Sequence, residues 1–286
     1  MLSCHGDNSQ GFTIWGNWGP FAAANYNMGW HSKGGHDRTF GTNAKAWDWC
    51  SVNNAGFEYY QNAKKDGIGL PPHNPRIWVF RHQSNASCAP MLRRVWHPIG
   101  YSSNSGWSNF FINITAGRLL TYTNTLLKFA LPDIVIGTGG GYNTYDIYES
   151  VNHELSHASH FNKVGSAFWA KYVNYIITYG KKYDHPYGDA SCNNSGFCGV
   201  GEMWGYAMGY IRTYEKYQQK PKNGQSKWFQ PNLLYDLMTE KILTKKQIFD
   251  CLSSDVTSHA LLKQKMISRY PSKKDSIIAK FSRYGF

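Results

Sequence analysis

The sequence predicts an α+β fold, in which a small mixed β-sheet with backing helices is followed by a mostly helical half. Three observations indicate this fold class. The chain has 286 residues, 42% of them hydrophobic, which is enough for a sizeable core. Short apolar runs between loops rich in Gly, Asn and Ser fill the chain up to about Pro132. From Thr144 onward, apolar residues recur at helical spacing.

The first half supplies the predicted strands and two predicted helices. Short runs of β-branched and aromatic residues predict strands at 12–15, 76–80, 110–114 and 133–136. Helical spacing predicts helices at 44–65 and 116–129, which Gly67 and Pro132 terminate. The glycine-rich segment 137–141 lacks the spacing of a phosphate-binding loop. We therefore interpret it as a flexible turn beside a cleft.

The second half is predicted to be almost entirely helical. The helix that begins near Thr144, with Asn143 or Thr144 as its cap, has an apolar stripe and a polar face opposite it. The stripe consists of Ile147, Val151, Leu155 and Ala158, and the polar face of Asp146, Ser150, His153, His157 and His160. Further helices are predicted at 167–179, 202–217, 232–241, 245–252, 258–270 and 276–284. We expect a single domain, with subdomains of about 1–162 and 163–286 and a cleft between them.

Charge and composition exclude one class of function. The formal net charge of +12 would suit an acidic partner. However, the lysine pairs are scattered, and the sequence has neither a long basic run nor a nucleic-acid-binding module. We therefore expect a solvated basic surface, no specific nucleic acid, and a monomer. Aromatic residues make up 16% of the chain, which is typical of packed cores and of binding surfaces.

The cysteines bear on the compartment of the protein. None of the six forms a C-x-x-C pair, so a cysteine-ligated zinc site is not indicated. Cys192 with Cys198, and Cys50 with Cys88, would form disulfides if the chain lies outside the cytosol; buried free thiols are the alternative. The start of the chain, residues 1–4, resembles the end of a bacterial lipobox. It predicts an exported protein at the cell surface or outside the cell, attached to a membrane through a lipidated Cys4.

The segment 153–157 reads H-E-L-S-H and carries the most specific signal in the chain. Residues four apart lie on one face of a helix, so His153 and His157 can hold one metal ion. Glu154, between them, lies close enough to act on a water molecule at that ion. The pattern H-E-x-x-H is typical of zinc hydrolases, and a chance match is improbable in a chain with only six glutamates.

A zinc site of this kind needs a third protein ligand. His160 shares the face of the pair, but a straight helix places its Cα about 10 Å from that of His153. A histidine further along the chain is the third ligand in metzincins, but it is nearly excluded here. His160 stands where the metzincin motif requires Gly, and Lys163 stands where it requires His. Glu202 follows His157 at the start of a later helix, in apolar surroundings where a carboxylate needs a partner. Gly205, one turn on, would let the two helices approach closely.

With H-E-x-x-H on one helix and a glutamate on a later one, the chain resembles the gluzincins, zinc metallopeptidases of the zincin superfamily. The resemblance covers about residues 133–217. It implies a zincin-like fold and a single Zn²⁺ ion. It implies His153, His157 and Glu202 as ligands and Glu154 as general base. The sequence departs from the family pattern at two positions. Tyr206 stands where thermolysin-like members have Asp, and Gly205 where many other members have Ala.

The implied activity is the hydrolysis of peptide bonds in a protein or peptide substrate by zinc-activated water. A hydrogen-bond donor for the developing oxyanion is also needed. Tyr206 is the first candidate because it lies one turn after Glu202. The other candidates for the substrate cleft are His160, Tyr183, His185 and Tyr210. The alternative function is a surface protein that binds a glycan or peptide on the same scaffold, with weak or no catalysis.

Overall fold

A computed structural model of the chain provides the coordinates. It describes residues 2–3, 11–16, 25–26, 39–81, 87–99, 132–180, 187–221 and 227–286. The described part of the chain is a mixed α/β structure with a small parallel sheet. The predicted strand at 110–114 and the predicted helix at 116–129 lie outside the described residues.

The sheet has three parallel strands in the order β2-β4-β5. The strands are β2 (Thr13–Trp15), β4 (Arg76–Phe80) and β5 (Ile134–Gly137). Ile77 of the central strand pairs with Ile14 on one side and Ile134 on the other. The prediction of a mixed sheet was wrong for these strands, because all three run in the same direction. Antiparallel pairing occurs elsewhere, between β1 (Leu2–Ser3) and β3 (Asn25–Tyr26) and in a bridge from Cys88 to Val135.

One buried carboxylate ties the sheet to helix α2 (Leu92–Ile99). Asp133 lies just before β5 and is fully buried. Its Oδ2 accepts a hydrogen bond from the backbone N–H of Arg76 at 3.0 Å and forms an ion pair with Arg93 Nη2 at 2.7 Å. Arg94 Nε lies 3.2 Å from the other oxygen. A buried charge is tolerated only with such partners. Asp133 therefore helps to set the register in which β5 pairs with β4.

Helix α1 (Lys45–Asp66) packs against the sheet and ends at Gly67, whose positive φ of 68° closes the helix. Gly56 lies where α1 meets the first strand of the sheet, and a Cβ there would come 2.8 Å from Phe12 Cζ. The buried face of α1 includes Tyr59 and Tyr60, whereas Phe57 is 48% exposed.

Two long helices follow the sheet. Helix α3 (Thr144–Gly180) begins with a reciprocal cap: Asn143 Oδ1 accepts from the Asp146 N–H at 3.1 Å, and Asp146 Oδ2 from the Asn143 N–H at 3.0 Å. The predicted helices at 144 and 167 are joined in α3, which has non-helical backbone at Gly165. Helix α4 (Ser195–Tyr217) begins seven residues before the predicted start at Glu202.

The rest of the chain is a set of short helices. They are α5 (Asn232–Thr239), α6 (Lys245–Cys251), α7 (His259–Arg269), a 3₁₀ turn (Pro271–Lys273) and α8 (Lys274–Arg283). These bounds agree with the prediction to within two residues at each end. No helix in the described part of the chain has the length and apolar character needed to cross a bilayer.

The structure contradicts the two proposed disulfides. Cys50, Cys88, Cys192 and Cys198 are all free thiols. The segment from Cys192 to Cys198 is not an isolated loop, because α4 has already begun at Ser195 and carries Cys198 into the core. The alternative interpretation, of free thiols at least partly buried in the fold, therefore describes these residues. Cys4 lies outside the described residues.

Candidate metal centre

The site lies where α3 and α4 pack together. The two helices touch along much of their length, and the indole N–H of Trp204 on α4 donates to the backbone carbonyl of Ser156 on α3 at 3.2 Å. The sequence predicted an open polar face for α3, but α4 covers it: His153 is 8% exposed and His157 is 2% exposed. Both faces of this helix are therefore buried between residues 151 and 160.

Gly205 makes the close approach of the helices possible, as its position in the sequence suggested. A Cβ at this position would lie 2.6 Å from His157 Nε2 and 3.1 Å from His153 Nε2. A carbon atom and a nitrogen atom that are not bonded to each other do not approach to 2.6 Å without displacement. The side chains of the histidine pair therefore occupy the space that any other residue at position 205 would need.

Four side chains converge at this point. The Nε2 atoms of His153 and His157 are 2.8 Å apart. Glu202 Oε2 lies 3.5 Å from the first nitrogen and 3.6 Å from the second. Glu154 Oε1 lies 3.8 Å from His153 Nε2, and the ligand atoms of His153, Glu154 and His157 all lie within 4.8 Å of one another. This buried group can hold a metal ion.

The protonation states of the site follow from burial and from neighbouring charges. Burial, reinforced by His157, lowers the pKa of His153 to about 4, so its imidazole is neutral at pH 7. Burial raises the pKa of Glu154 well above its ordinary value, and the nearby carboxylate of Glu202 adds to this. Burial alone would also raise the pKa of Glu202, but the imidazoles of His157 and His153 lower it below its ordinary value. Neutral imidazole and ionised carboxylate are the forms that bind metal ions.

Several polar atoms of the site are buried without a hydrogen-bond partner among the described residues. They are Glu154 Oε2, Glu202 Oε2 and His157 Nδ1. An unsatisfied buried carboxylate oxygen costs on the order of 1–3 kcal/mol or more, and most native groups avoid this cost. The orphaned Glu202 Oε2, next to two imidazole nitrogens, therefore fits a set of metal ligands.

Tyr172 was not identified from the sequence, although it contacts the site directly. Its hydroxyl donates a hydrogen bond to Glu202 Oε1. This bond leaves Oε2 as the oxygen that faces the histidine pair. Tyr172 lies on α3 beyond Gly165, and no local pattern indicates which element its hydroxyl will meet. The only available signal was general: a buried tyrosine hydroxyl needs a partner.

A cavity of about 640 Å³ opens beside the site. The described residues that line it are Ser87, Tyr142, Glu149, Ser150, His153, Glu154, Tyr187, Gly188, Asp189, Tyr206, Lys227, Trp228 and Phe229. A smaller cavity of about 120 Å³, partly walled by residues 87–90, reaches His157, Tyr172 and Glu202. Glu154 borders both cavities, although its side chain is almost fully buried.

Tyr206 lies in the wall of the larger cavity, as the prediction of a cleft residue requires. Its ring centroid is 4.3 Å from that of His153, in an edge-on arrangement. Its hydroxyl forms a 2.6 Å hydrogen bond with the hydroxyl of Tyr187. Tyr187 and Lys227 had not been identified from the sequence, because both belong to segments that reach the site only through the folded chain.

Of the other residues predicted to lie in the substrate cleft, the two that the structure describes do not line the cavity. His160 is 0% exposed and packs against the rings of Phe168 and Trp169, so it is neither a surface residue nor a cleft residue. Burial lowers its pKa to about 3. Tyr210 packs against Tyr206 but does not line the described cavity. Tyr183 and His185 lie outside the described residues.

Three comparisons with known proteins were made, and none produced a match: no family model, no curated protein and no solved structure is similar to this chain.

Proposed function

We propose that this protein is a zinc-dependent metallopeptidase of the gluzincin type. One observation carries the proposal: two imidazole nitrogens on α3 and a carboxylate oxygen on α4 meet in a buried position, within 3.6 Å of one another. Two of these ligands, His157 and Glu202, are 45 positions apart in the chain. A wide cavity lies next to it, where a substrate can bind.

The residues at the site fit a zinc ion. His153, His157 and Glu202 would hold it, because Glu202 Oε2 lies almost equally close to both Nε2 atoms and has no other partner among the described residues. Two histidines and one glutamate are a ligand set of catalytic zinc sites. Glu154 lies 3.8 Å from the His153 nitrogen and lines both cavities, so we assign it to catalysis. The bound ion would act as a Lewis acid and lower the pKa of water.

Glu154 is the general base in this proposal. Its side chain borders the cavity, and its Oε2 has no hydrogen-bond partner among the described residues, so we assign this carboxylate as the acceptor of a proton from a water molecule. Its pKa is raised by burial, which makes the carboxylate a stronger base than an exposed glutamate. The same oxygen then delivers the proton to the nitrogen atom of the leaving amine.

Tyr206 and Tyr187 supply hydrogen-bond donors to the cavity. Each hydroxyl has one proton, and a single hydrogen bond joins the two hydroxyls. The hydroxyl that accepts this bond therefore has a proton left to donate to an oxygen atom of the substrate. Donation to the oxygen that gains negative charge in the transition state stabilises that state more than the ground state.

The replacement Glu154→Gln tests the assignment. It keeps the size of the side chain and removes the base, so we expect hydrolysis of an unfolded protein to fall by about 100-fold or more. Zinc content should stay at the wild-type level, because Glu154 is not a ligand in this proposal. A chromatographic assay of casein fragments and elemental analysis measure the two properties. Hydrolysis at the wild-type rate would show that Glu154 is not the base.

The alternative function is binding without catalysis. The number of aromatic side chains around the cavity favours it: Tyr142, Tyr187, Tyr206, Trp228 and Phe229 are typical of sites that hold sugars or peptides. A protein that binds zinc and a peptide but cleaves no substrate in a broad screen would support this alternative. The position of Glu154 beside the cavity favours the enzyme.

A further inference from the structure

Lys227 lies in an unusual position in the wall of the larger cavity. Its ammonium nitrogen is 4.5 Å from the ring centroid of Tyr206, 4.8 Å from that of Tyr187 and 5.8 Å from that of Phe229. All three rings also line the cavity. Each cation–π contact contributes on the order of 0.5–1 kcal/mol. Together they hold the charged end of Lys227 at a fixed place near the proposed active site.

This ammonium group forms no ion pair with an acidic residue in the described part of the chain, although the carboxylate of Glu202 attracts it electrostatically. In contrast, Lys216, Lys245 and Lys280 each have at least one ion-pair partner. Aromatic rings attract a cation but do not neutralise it. A half-buried ammonium without a direct ion-pair partner is costly, so an anion that enters the cavity gains an interaction that the free protein lacks.

The charges around the cavity are arranged unevenly. Helix α3 contributes the carboxylates of Glu149 and Glu154 to one wall, and Asp189 lies in another part of the wall. Lys227 is the one lysine or arginine among the described residues that line this cavity. An anionic group of a ligand is therefore attracted to one position and repelled from others, which fixes the orientation of the ligand.

We propose that Lys227 binds a carboxylate of the substrate and so makes the proposed peptidase selective for anionic peptides. The inference rests on the proposed function of the same site. The cavity volume of about 640 Å³ suits a short peptide segment and not a folded domain. The carboxylate is either the free C-terminus of the peptide or an acidic side chain near the bond that is cleaved.

Binding to the Glu154→Gln protein loaded with zinc tests the inference without catalysis. The probes are two matched pairs: N-acetyl-tetra-alanine as free acid and as amide, and N-acetyl-Ala-Glu-Ala-amide with its Gln counterpart. Isothermal titration should show that the charged member of at least one pair binds about 10-fold more tightly than its neutral partner. The pair that shows the preference identifies the source of the carboxylate.

Replacement of Lys227 should remove this preference. With Lys227→Met added, the charged and neutral members should bind within about 2-fold of each other. Lys227→Arg, which keeps the charge, should retain most of the preference. Lys171→Met is the matched control, because Lys171 also lies over a ring, that of Phe197, but does not line the cavity. This control should leave the preference unchanged.

Two outcomes would overturn the inference. One is equal binding of charged and neutral probes to the protein that contains Lys227. The other is a preference that survives Lys227→Met in a variant whose urea unfolding shows that it is folded. Loss of hydrolysis in Glu154→Gln is a separate measurement, so failure of the peptidase proposal and failure of this inference are distinguishable.

Discussion

At the scale of single residues, position 205 controls the geometry of the site. Any side chain there would occupy the space of the two imidazoles, since even a Cβ atom would be 2.6 Å from His157 Nε2. Glycine is thus required for contact between the helices and not for backbone flexibility, because Gly205 lies inside a regular helix. The metal site and the packing of α3 on α4 both require that residue 205 has no side chain.

Gly205→Ala is expected to weaken metal binding by about 10-fold or more, because the new methyl group displaces both histidine rings. Competition with a chromophoric zinc chelator measures the affinity. Gly201→Ala is the control on the same helix: its Cβ would meet the Tyr172 ring at an ordinary 3.5 Å. The control should bind zinc with wild-type affinity and be at least as stable, since alanine favours helices. Equal affinities in the two variants would contradict the role of Gly205.

The sequence allowed part of the candidate site to be predicted, and physical reasons separate that part from the rest. His153, Glu154 and His157 are visible because one helical turn joins them, so their spacing alone places them together. Glu202 was recognisable as a carboxylate in apolar surroundings. Tyr172, Tyr187 and Lys227 carry no such local signal, because only the folded chain brings them to the cavity.

At the scale of elements, α3 is divided by Gly165. This residue has φ 82° and ψ 174°, a conformation that residues with a side chain rarely adopt. The break separates the segment that holds His153 and His157 from the segment that holds Tyr172. The second segment can therefore change direction and carry the Tyr172 hydroxyl to Glu202.

Gly165→Ala is expected to lower the free energy of unfolding by about 1–3 kcal/mol. The cause is backbone strain alone, because a Cβ at this position would meet no atom within 4 Å. Urea unfolding followed by circular dichroism measures the change. Gly41→Ala serves as control, since Gly41 has equally open space but no positive φ. A variant of Gly165 as stable as the control would show that the break is not strained.

Most helix bounds were predictable from turn and cap residues, but the start of α4 was not. The predicted start at Glu202 lies after three glycines, which are poor helix formers: Gly196, Gly199 and Gly201. In the structure the first two glycines serve close packing: a Cβ on Gly196 would lie 2.0 Å from Thr257 O, and one on Gly199 would lie 2.7 Å from His259 Cε1. Tertiary contacts therefore outweigh the local preference.

At the scale of the whole molecule, the pairing of the strands could not be predicted from local sequence patterns. The short apolar runs were recognisable as strands, yet their common direction depends on connections that cross long stretches of chain. The helical second half was more accessible to prediction, because apolar residues recur along it at helical spacing and some of its helices begin at a capping side chain. Thr244 and Ser258, for example, cap α6 and α7 with their side chains.

The stability of the molecule should fall as the pH falls below about 6.5, in part because of His259. This residue is 9% exposed, and burial lowers its pKa from the ordinary 6.5 to about 4 in the folded state. The unfolded chain therefore takes up the proton first, and the folded state loses about 2 kcal/mol between pH 7 and pH 5 from this group alone. Below pH 4 the loss from His259 levels off.

Comparison of the wild type with His259→Phe isolates this contribution. Phe keeps an aromatic ring beside Phe286, whose ring centroid is 4.1 Å from that of His259. The variant should be less stable at pH 7, because it loses a hydrogen bond to Gly199, but should show a smaller decrease toward pH 5. Urea unfolding in the presence of a chelator measures both proteins. Parallel pH profiles would contradict the prediction.

The zinc content of the purified protein tests the central claim most directly. Elemental analysis without added metal should find about one zinc ion per chain in the wild type, and much less in His153→Ala and Glu202→Ala. His73→Ala, which removes an exposed histidine, should keep the full amount. Wild-type zinc content in Glu202→Ala, or no zinc in a folded wild-type protein that is also supplied with the metal, would contradict a centre built from His153, His157 and Glu202.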